Sequence, residues 1–170
     1  MQYKNNKFKT SLKRLSYVLR ILRNRLLRRE EPIIVALTVN NACNLNCGYC
    51  FGGYSKRKAK GDFTTDELIK IIDELWRLGT RNLTVHGGET LLRKDIGFLV
   101  DYMKEKGFYV NLITNGILFP QRYNEIRNID SLCISLDGRE EGNDKNRGKG
   151  SYRKIIEAIR LAKKEGVCLR

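Results

Sequence analysis

Cys43, Cys47 and Cys50 stand in the run Cys43-Asn44-Leu45-Asn46-Cys47-Gly48-Tyr49-Cys50, a Cys-x3-Cys-x2-Cys spacing. Three thiolates this close can each take one iron of a single iron–sulfur cube, leaving the fourth iron for a non-protein ligand. A structural zinc site is the competing chemistry, but it closes with four ligands. Cys133 and Cys168 lie far from this run, and His86 is the chain's one histidine. A redox-active thiol group is a third reading. Five cysteines, an odd number, without a secretory leader argue against a disulfide framework. Cys133 and Cys168 sit in apolar runs and read as small buried hydrophobes.

Four more polar segments could bind a ligand. The first is His86-Gly87-Gly88-Glu89-Thr90-Leu91-Leu92, whose glycines allow close backbone approach and whose carboxylate can accept from an ammonium group. Thr114-Asn115-Gly116, Ser135-Leu136-Asp137-Gly138 and the stretch from Asn143 through Arg147 to Tyr152 follow. Taken singly, each is ordinary turn chemistry.

Their meaning comes from the elements that carry them. Ile33–Val39 is a continuous apolar, β-branched run suited to a strand buried on both faces. A helix over 65–78 follows, opened by the Thr64-x-x-Glu67 capping box and stopped by Gly79. A strand at Leu83–Val85, a helix near 94–106, a strand at Tyr109–Ile113 and a weaker helix near 120–127 come next. A strand at Leu132–Leu136, a helix over 152–165 and the start of a fifth strand at Val167–Leu169 complete the pattern. Residues 51–62 and 138–150 read as long functional loops. Strands alternating with helices of this length imply βαβ units and a parallel sheet. The expected fold is therefore α/β: a partial parallel (β/α) barrel of about four βα units plus the start of a fifth strand. Every one of the polar segments falls after a strand, at the end where such folds build their sites.

With that placement, the cysteine spacing, the aromatic residue before the last cysteine and the Gly-Gly-Glu segment resemble the radical S-adenosylmethionine (radical SAM) superfamily. The likeness is strongest to the peptide-modifying SPASM-type and molybdenum-cofactor-type members. It covers about residues 33–170. The resemblance implies a [4Fe–4S] cluster on Cys43, Cys47 and Cys50, and SAM chelating the open iron. Gly87, Gly88 and Glu89 would then orient the methionine amino group, and the backbone near Tyr49 would lie against the adenine. Thr114, Asn115, Ser135 and Asp137 are the further candidate SAM contacts, with Arg147 approaching the SAM carboxylate. The implied reaction is reductive cleavage of SAM to a 5′-deoxyadenosyl radical that takes hydrogen from an unidentified substrate. A flavodoxin- or ferredoxin-like electron donor is implied as partner. Thr90 replaces the family's usual proline, and Asn143 replaces a histidine common in the peptide-modifying branch. The likeness stops where the family's fifth and sixth strands would begin, so an incomplete enzyme is a further expectation. The alternative is a zinc or redox-thiol interaction module without catalysis.

The chain has 170 residues, 41% of them hydrophobic and 31% charged, with a net charge of +14. Residues 1–31 hold ten Lys or Arg against two Glu, a net of +8. Within them Leu12, Leu15, Leu19, Leu22 and Leu26 make one stripe on an expected helix over 11–29. The chain thus divides into a basic amphipathic extension, 1–31, and a core, 32–170. The extension's stripe is expected to pack on the outer helices, leaving its arginines for an acidic partner; an anionic membrane surface is the alternative. No run is long enough to span a bilayer, and a cytoplasmic location is expected. The basic run from Lys56 to Lys60 reads as a solvated face rather than a nucleic-acid site.

Overall fold

The computed structural model describes residues 18, 19, 21–28, 31–54 and 61–170. Its centre is a four-stranded sheet, ordered as in the chain: β1 (Ile34–Thr38), β2 (Asn82–His86), β3 (Tyr109–Thr114) and β4 (Ser131–Ile134). All three pairings are parallel, with Thr38 opposite His86, Val85 opposite Leu112 and Ile113 opposite Cys133. Five helices lie between or after them: α1 (Thr65–Arg77), α2 (Ile96–Glu105), α3 (Phe119–Ile126), α4 (Glu140–Arg147) and α5 (Ser151–Lys164).

Sequential parallel strands joined by right-handed crossovers put their helices on one face of the sheet. The burial pattern agrees. Leu83, Val85, Val110, Leu112 and Leu132 are fully buried in one core with Leu68, Ile72, Leu99, Met103, Ile126 and Ala158. The alternate residues Asn82, Thr84, His86, Tyr109, Asn111 and Ile113 are only half-buried. This corrects the expectation for β1: its unbroken apolar run suggested burial on both faces, yet Ile34 is 57% exposed and Ala36 is exposed too. Apolarity in the sequence cannot reveal that only one face has a layer to pack on.

The helix boundaries follow local chemistry. Thr64 Oγ1 accepts from the Glu67 amide at 3.2 Å, and the Glu67 carboxylate accepts from the Thr64 amide at 2.8 Å. These two bonds satisfy donors that the first turn of α1 would otherwise leave free. Gly79 and Gly107 follow α1 and α2 with φ of 97° and 94°, the left-handed geometry that glycine adopts without strain. α2 starts at Ile96, slightly later than expected, after a short 3-10 turn at 90–92 and a turn at residues 94–95.

Three expectations are corrected. Residues 140–147 form the helix α4 rather than a loop; Asn143 is its one buried residue, so it has no apolar stripe to read. Cys168 is exposed and Cys133 only partly buried. Both lie where the sheet thins out: beyond β4 the chain contributes a single parallel bridge, Leu132 to Leu169. Finally, residues 21–26 of the N-terminal segment are helical, but Leu19, Leu22 and Leu26 are exposed, Leu26 by 82%, instead of packing on the outer helices. Leu12 and Leu15, like the basic run 56–60, fall outside the described residues. Among the described residues, no helix is long and apolar enough to cross a membrane.

Candidate functional site at the strand ends

The cysteines lie on the loop that leaves β1, and that loop is knitted to the ends of the other three strands. The Gly88 amide donates to the Asn40 carbonyl at 3.1 Å, and the Glu89 amide to the Ala42 carbonyl at 2.8 Å. Buried Asn40 returns the bond, its Nδ2 donating to the Glu89 carbonyl at 2.9 Å. The need for two glycines follows directly. A Cβ on Gly87 would stand 2.1 Å from Asn40 Oδ1, and one on Gly88 would stand 2.3 Å from the Ala42 carbonyl oxygen. The close approach expected of these glycines is thus made, in this structure, to the segment that carries the cysteines.

Glu89 is 1% exposed, and its carboxylate bridges β2 to β3. Oε1 accepts from Thr114 Oγ1 at 2.6 Å and from the Leu91 amide at 3.0 Å; Oε2 accepts from the Asn115 amide at 2.7 Å. Burial pushes its pKa above the ordinary carboxylate value, against the pull of these three donors. Both oxygens are therefore engaged by the protein, where the resemblance pointed them at an ammonium group. Thr90, at the family's proline position, donates from Oγ1 to the Ile113 carbonyl at 2.8 Å. A side-chain bond to β3 holds the turn that a proline ring stiffens elsewhere.

Asn115 carries the linkage on to the cysteine loop. Its Nδ2 donates to Asn44 Oδ1 at 2.8 Å and lies 4.0 Å from Cys43 Sγ. Ser135, half-buried at the end of β4, donates its amide to the Thr114 carbonyl at 3.0 Å. His86 bonds Thr38 Oγ1 at 3.2 Å, and burial holds its pKa below the usual value.

The far end of the cysteine loop meets β4 and α4. Tyr49 donates its hydroxyl to the Asp137 carboxylate at 2.7–2.9 Å. Arg147 Nη2 donates to Asp137 Oδ1 at 2.7 Å and to the Tyr49 hydroxyl. The Gly48 amide donates to the Asn146 carbonyl at 3.1 Å. Desolvation, and then the bond donated to Asp137, push the Tyr49 pKa up to about 12, so the phenol keeps its proton. Asp137 is held below the usual carboxylate range: burial acts to raise it, but the bonds from Arg147 and Tyr49 outweigh that. Arg147, expected near the SAM carboxylate, is thus paired within the protein.

Cys43, Cys47 and Cys50 are in no disulfide and are partly buried. Burial raises the Cys43 and Cys47 thiol pKa values, and the neighbouring cysteines raise them further; Arg147 opposes this at Cys47. Thiols arranged so ionise together only with a cationic centre among them. Among the described residues, no three His, Cys, Asp or Glu side chains are gathered round one point as a single ion demands. Three soft thiols on one loop suit a cluster that takes each thiolate on a separate iron.

Sequence reasoning gave no bonding role to the asparagines that do the stitching. Asn40, Asn44 and Asn146 bind neighbouring turns, and Asn143, fully buried, accepts from the Asp137 amide and donates to Ser151 Oγ at 2.8 Å. The density of asparagine between 40 and 46 was the available signal, since its side chain readily satisfies backbone groups in turns.

The Radical SAM superfamily model matches residues 37–168. The AdoMet-dependent heme synthase of Methanosarcina barkeri is 33% identical over 140 residues, which is 79% of this chain and 40% of that protein. The PqqA peptide cyclase of Bradyrhizobium diazoefficiens is 34% identical over 135 residues, covering 76% of this chain and 35% of the cyclase. The chain thus spans two fifths or less of the length of these two curated relatives. Among solved structures, Streptococcus suis SuiB bound to S-adenosylmethionine superposes with a TM-score of 0.71 at 18% identity, over 97% of this chain and 39% of that one. That likeness establishes the fold.

Proposed function

Because the chain belongs to the radical SAM superfamily, we propose that it is the cluster- and SAM-binding part of a radical SAM enzyme. The observation that carries this reading is the single loop that bears three cysteines outside any disulfide and is bonded to the ends of the other three described strands. When bound, a [4Fe–4S] cluster on Cys43, Cys47 and Cys50 supplies the electron that cleaves SAM reductively to a 5′-deoxyadenosyl radical.

The chain's own residues position the reactants. The Gly87–Gly88 turn offers backbone carbonyls to the methionine amino group, while Glu89, with both oxygens engaged, fixes that turn. Asn115 and Ser135 stand at the ends of β3 and β4 as polar contacts for the ribose or carboxylate. The buried sheet behind them keeps water away from one side of the site. The radical's hydrogen donor is a substrate bound on the same side of the sheet ends, and a flavodoxin- or ferredoxin-like protein delivers the electron.

Anaerobic reconstitution with iron and sulfide tests the reading. The expected product is brown, with about four irons and four acid-labile sulfides per chain. Cys47→Ala abolishes the colour and Cys133→Ala leaves it. Uptake of a single zinc with no sulfide overturns the proposal in favour of a metal-binding module.

The exposed Leu19, Leu22 and Leu26, together with the +8 charge of residues 1–31, favour an anionic membrane surface as partner of the extension. A location at the cytoplasmic face of a membrane follows from that reading. Co-sedimentation with phosphatidylserine vesicles at physiological salt, lost on deletion of residues 1–31, is the expected result; equal binding by both chains refutes it.

A further inference from the structure

We infer that Asp137, Arg147 and Tyr49 form a latch that holds the cysteine loop in its ligating shape, with Arg147 a positioning residue for the cluster. The inference rests on the proposed cluster site and concerns how that site is kept.

Tyr49 lies between two of the three cysteines, and its hydroxyl is the meeting point of the latch. It donates to Asp137 and accepts from Arg147, while Arg147 also donates to Asp137 at 2.7 Å. Each member bonds both others. The segment is tied a second time through its backbone, where Gly48 donates to the Asn146 carbonyl. These partners are 88 to 98 residues away in sequence, so the bonds fix tertiary position rather than a local turn. The Asp137–Arg147 pair is well enclosed, with side-chain exposures of 17% and 11%. A charge pair that is mostly out of water interacts more strongly and is more costly to break than a surface one.

The latch is itself braced. Asn143 in α4 accepts from the Asp137 amide at 3.2 Å and donates to Ser151, the first residue of α5. α4 therefore has little hydrophobic reason to exist, with Asn143 its one buried residue, yet it delivers Asn143, Asn146 and Arg147 to the loop. The ring of Tyr49 is 55% exposed, so its contribution is made through the hydroxyl rather than by packing. Both latch bonds are made by Arg147 Nη2, while the buried Nε is without a hydrogen-bond partner.

A second consequence is electrostatic. Arg147 and Asp137 both bond the hydroxyl of Tyr49, which lies between Cys47 and Cys50, so one charge of each sign stands against the segment that carries the ligands. Opposite charges beside one ligand pull the potential of a bound cluster in opposite directions, because the reduced cluster carries the extra negative charge.

The test uses the full chain and the variants Tyr49→Phe, Asp137→Asn and Arg147→Ala, reconstituted anaerobically with iron and sulfide. Tyr49→Phe keeps the exposed ring and removes only the hydroxyl, so it folds as the parent does, as circular dichroism will show. Two measurements are made: the rate of iron loss to a chelator, and the midpoint potential by spectroelectrochemistry without SAM. Loss of charge-assisted bonds is expected to speed iron loss from Tyr49→Phe by roughly ten-fold or more. Arg147→Ala is expected to lower the midpoint potential and Asp137→Asn to raise it, a divergence that mere loosening of the fold does not produce. Iron loss from Tyr49→Phe at the parent rate overturns the latch. So do potentials for the two charge variants that move the same way, or an Arg147→Ala chain altered only in SAM affinity. A parent chain that takes up no cluster sinks the radical SAM reading itself, and the latch with it.

Discussion

Glu89→Gln changes one atom at a polar position that is only 1% exposed. The wild-type carboxylate accepts three hydrogen bonds, two on Oε1 and one on Oε2. An amide offers one acceptor oxygen and one donor NH2. With its oxygen in the Oε1 place, the NH2 faces the Asn115 amide; with its oxygen in the Oε2 place, it faces the Leu91 amide. Thr114 can rotate its hydroxyl to accept, but a backbone N–H cannot. Either orientation therefore strands one buried backbone donor, at a cost of about 1–3 kcal/mol. Relief of the buried charge works the other way, so the net loss is placed at about 1–2 kcal/mol, a fall in Tm of roughly 2–8 °C for a chain of this size. The pH dependence has a definite sign. Burial raises the folded-state pKa of Glu89 above its ordinary 4.5. Its contribution to stability is then fully present below that value and is lost as pH rises through the higher folded value. The Gln variant lacks this slope. Thermal melts of both proteins between pH 4 and 8, paired with SAM titration of the reconstituted forms, measure both quantities. If the variant melts within 1 °C of wild type at every pH yet fails to bind SAM, Glu89 is a ligand contact and not a brace between β2 and β3.

The glycines give a matched pair of tests. Gly88→Ala drives a Cβ to within 2.3 Å of the Ala42 carbonyl oxygen, so the cysteine loop must shift; a loss of about 1–3 kcal/mol and poorer cluster uptake are expected in urea melts and iron assays. Gly142→Ala, in the interior of α4 with no atom within 4 Å of the new Cβ, should instead add about 0.5–1 kcal/mol, and a destabilised variant would contradict the helical assignment. Thr64→Ala removes one half of the α1 capping box and should cost about 1 kcal/mol in the same melts.

Strands with buried alternate residues and helices with an apolar stripe were legible, because periodicity reports packing. The α1 box and the glycine stops fell within a residue or two of their expected places for the same reason: both are local. α4 was not legible. It is a helix held by polar bonds, and its signal was of another kind, with Glu140 and Glu141 in the first turn and Lys145 and Arg147 in the last, the order that suits the helix dipole. The candidate residues were legible as polar groups at the strand ends, but their partners were not. The family resemblance brought Glu89 and Arg147 towards SAM; it could not say that Thr114 and Asn115 would bond the Glu89 carboxylate, or Asp137 the Arg147 Nη2. Such competition is decided by distances of a few tenths of an ångström between segments up to 98 residues apart.

The sheet has two open sides. β1 pairs only with β2 among the described strands, and β4 is met beyond its outer side by the single Leu169 bridge. A strand edge is a row of unused backbone donors and acceptors, a template on which another copy can extend the sheet. At β1, Ile34 is exposed. What opposes such extension is the charge: two chains of +14 repel each other as they approach. That protection reaches about 10 Å at 0.1 M salt and only about 3 Å at 1 M. Colloidal stability in this molecule is thus borrowed from the solvent. Light scattering in dilute buffer is expected to show separate copies, and in concentrated salt a growing association.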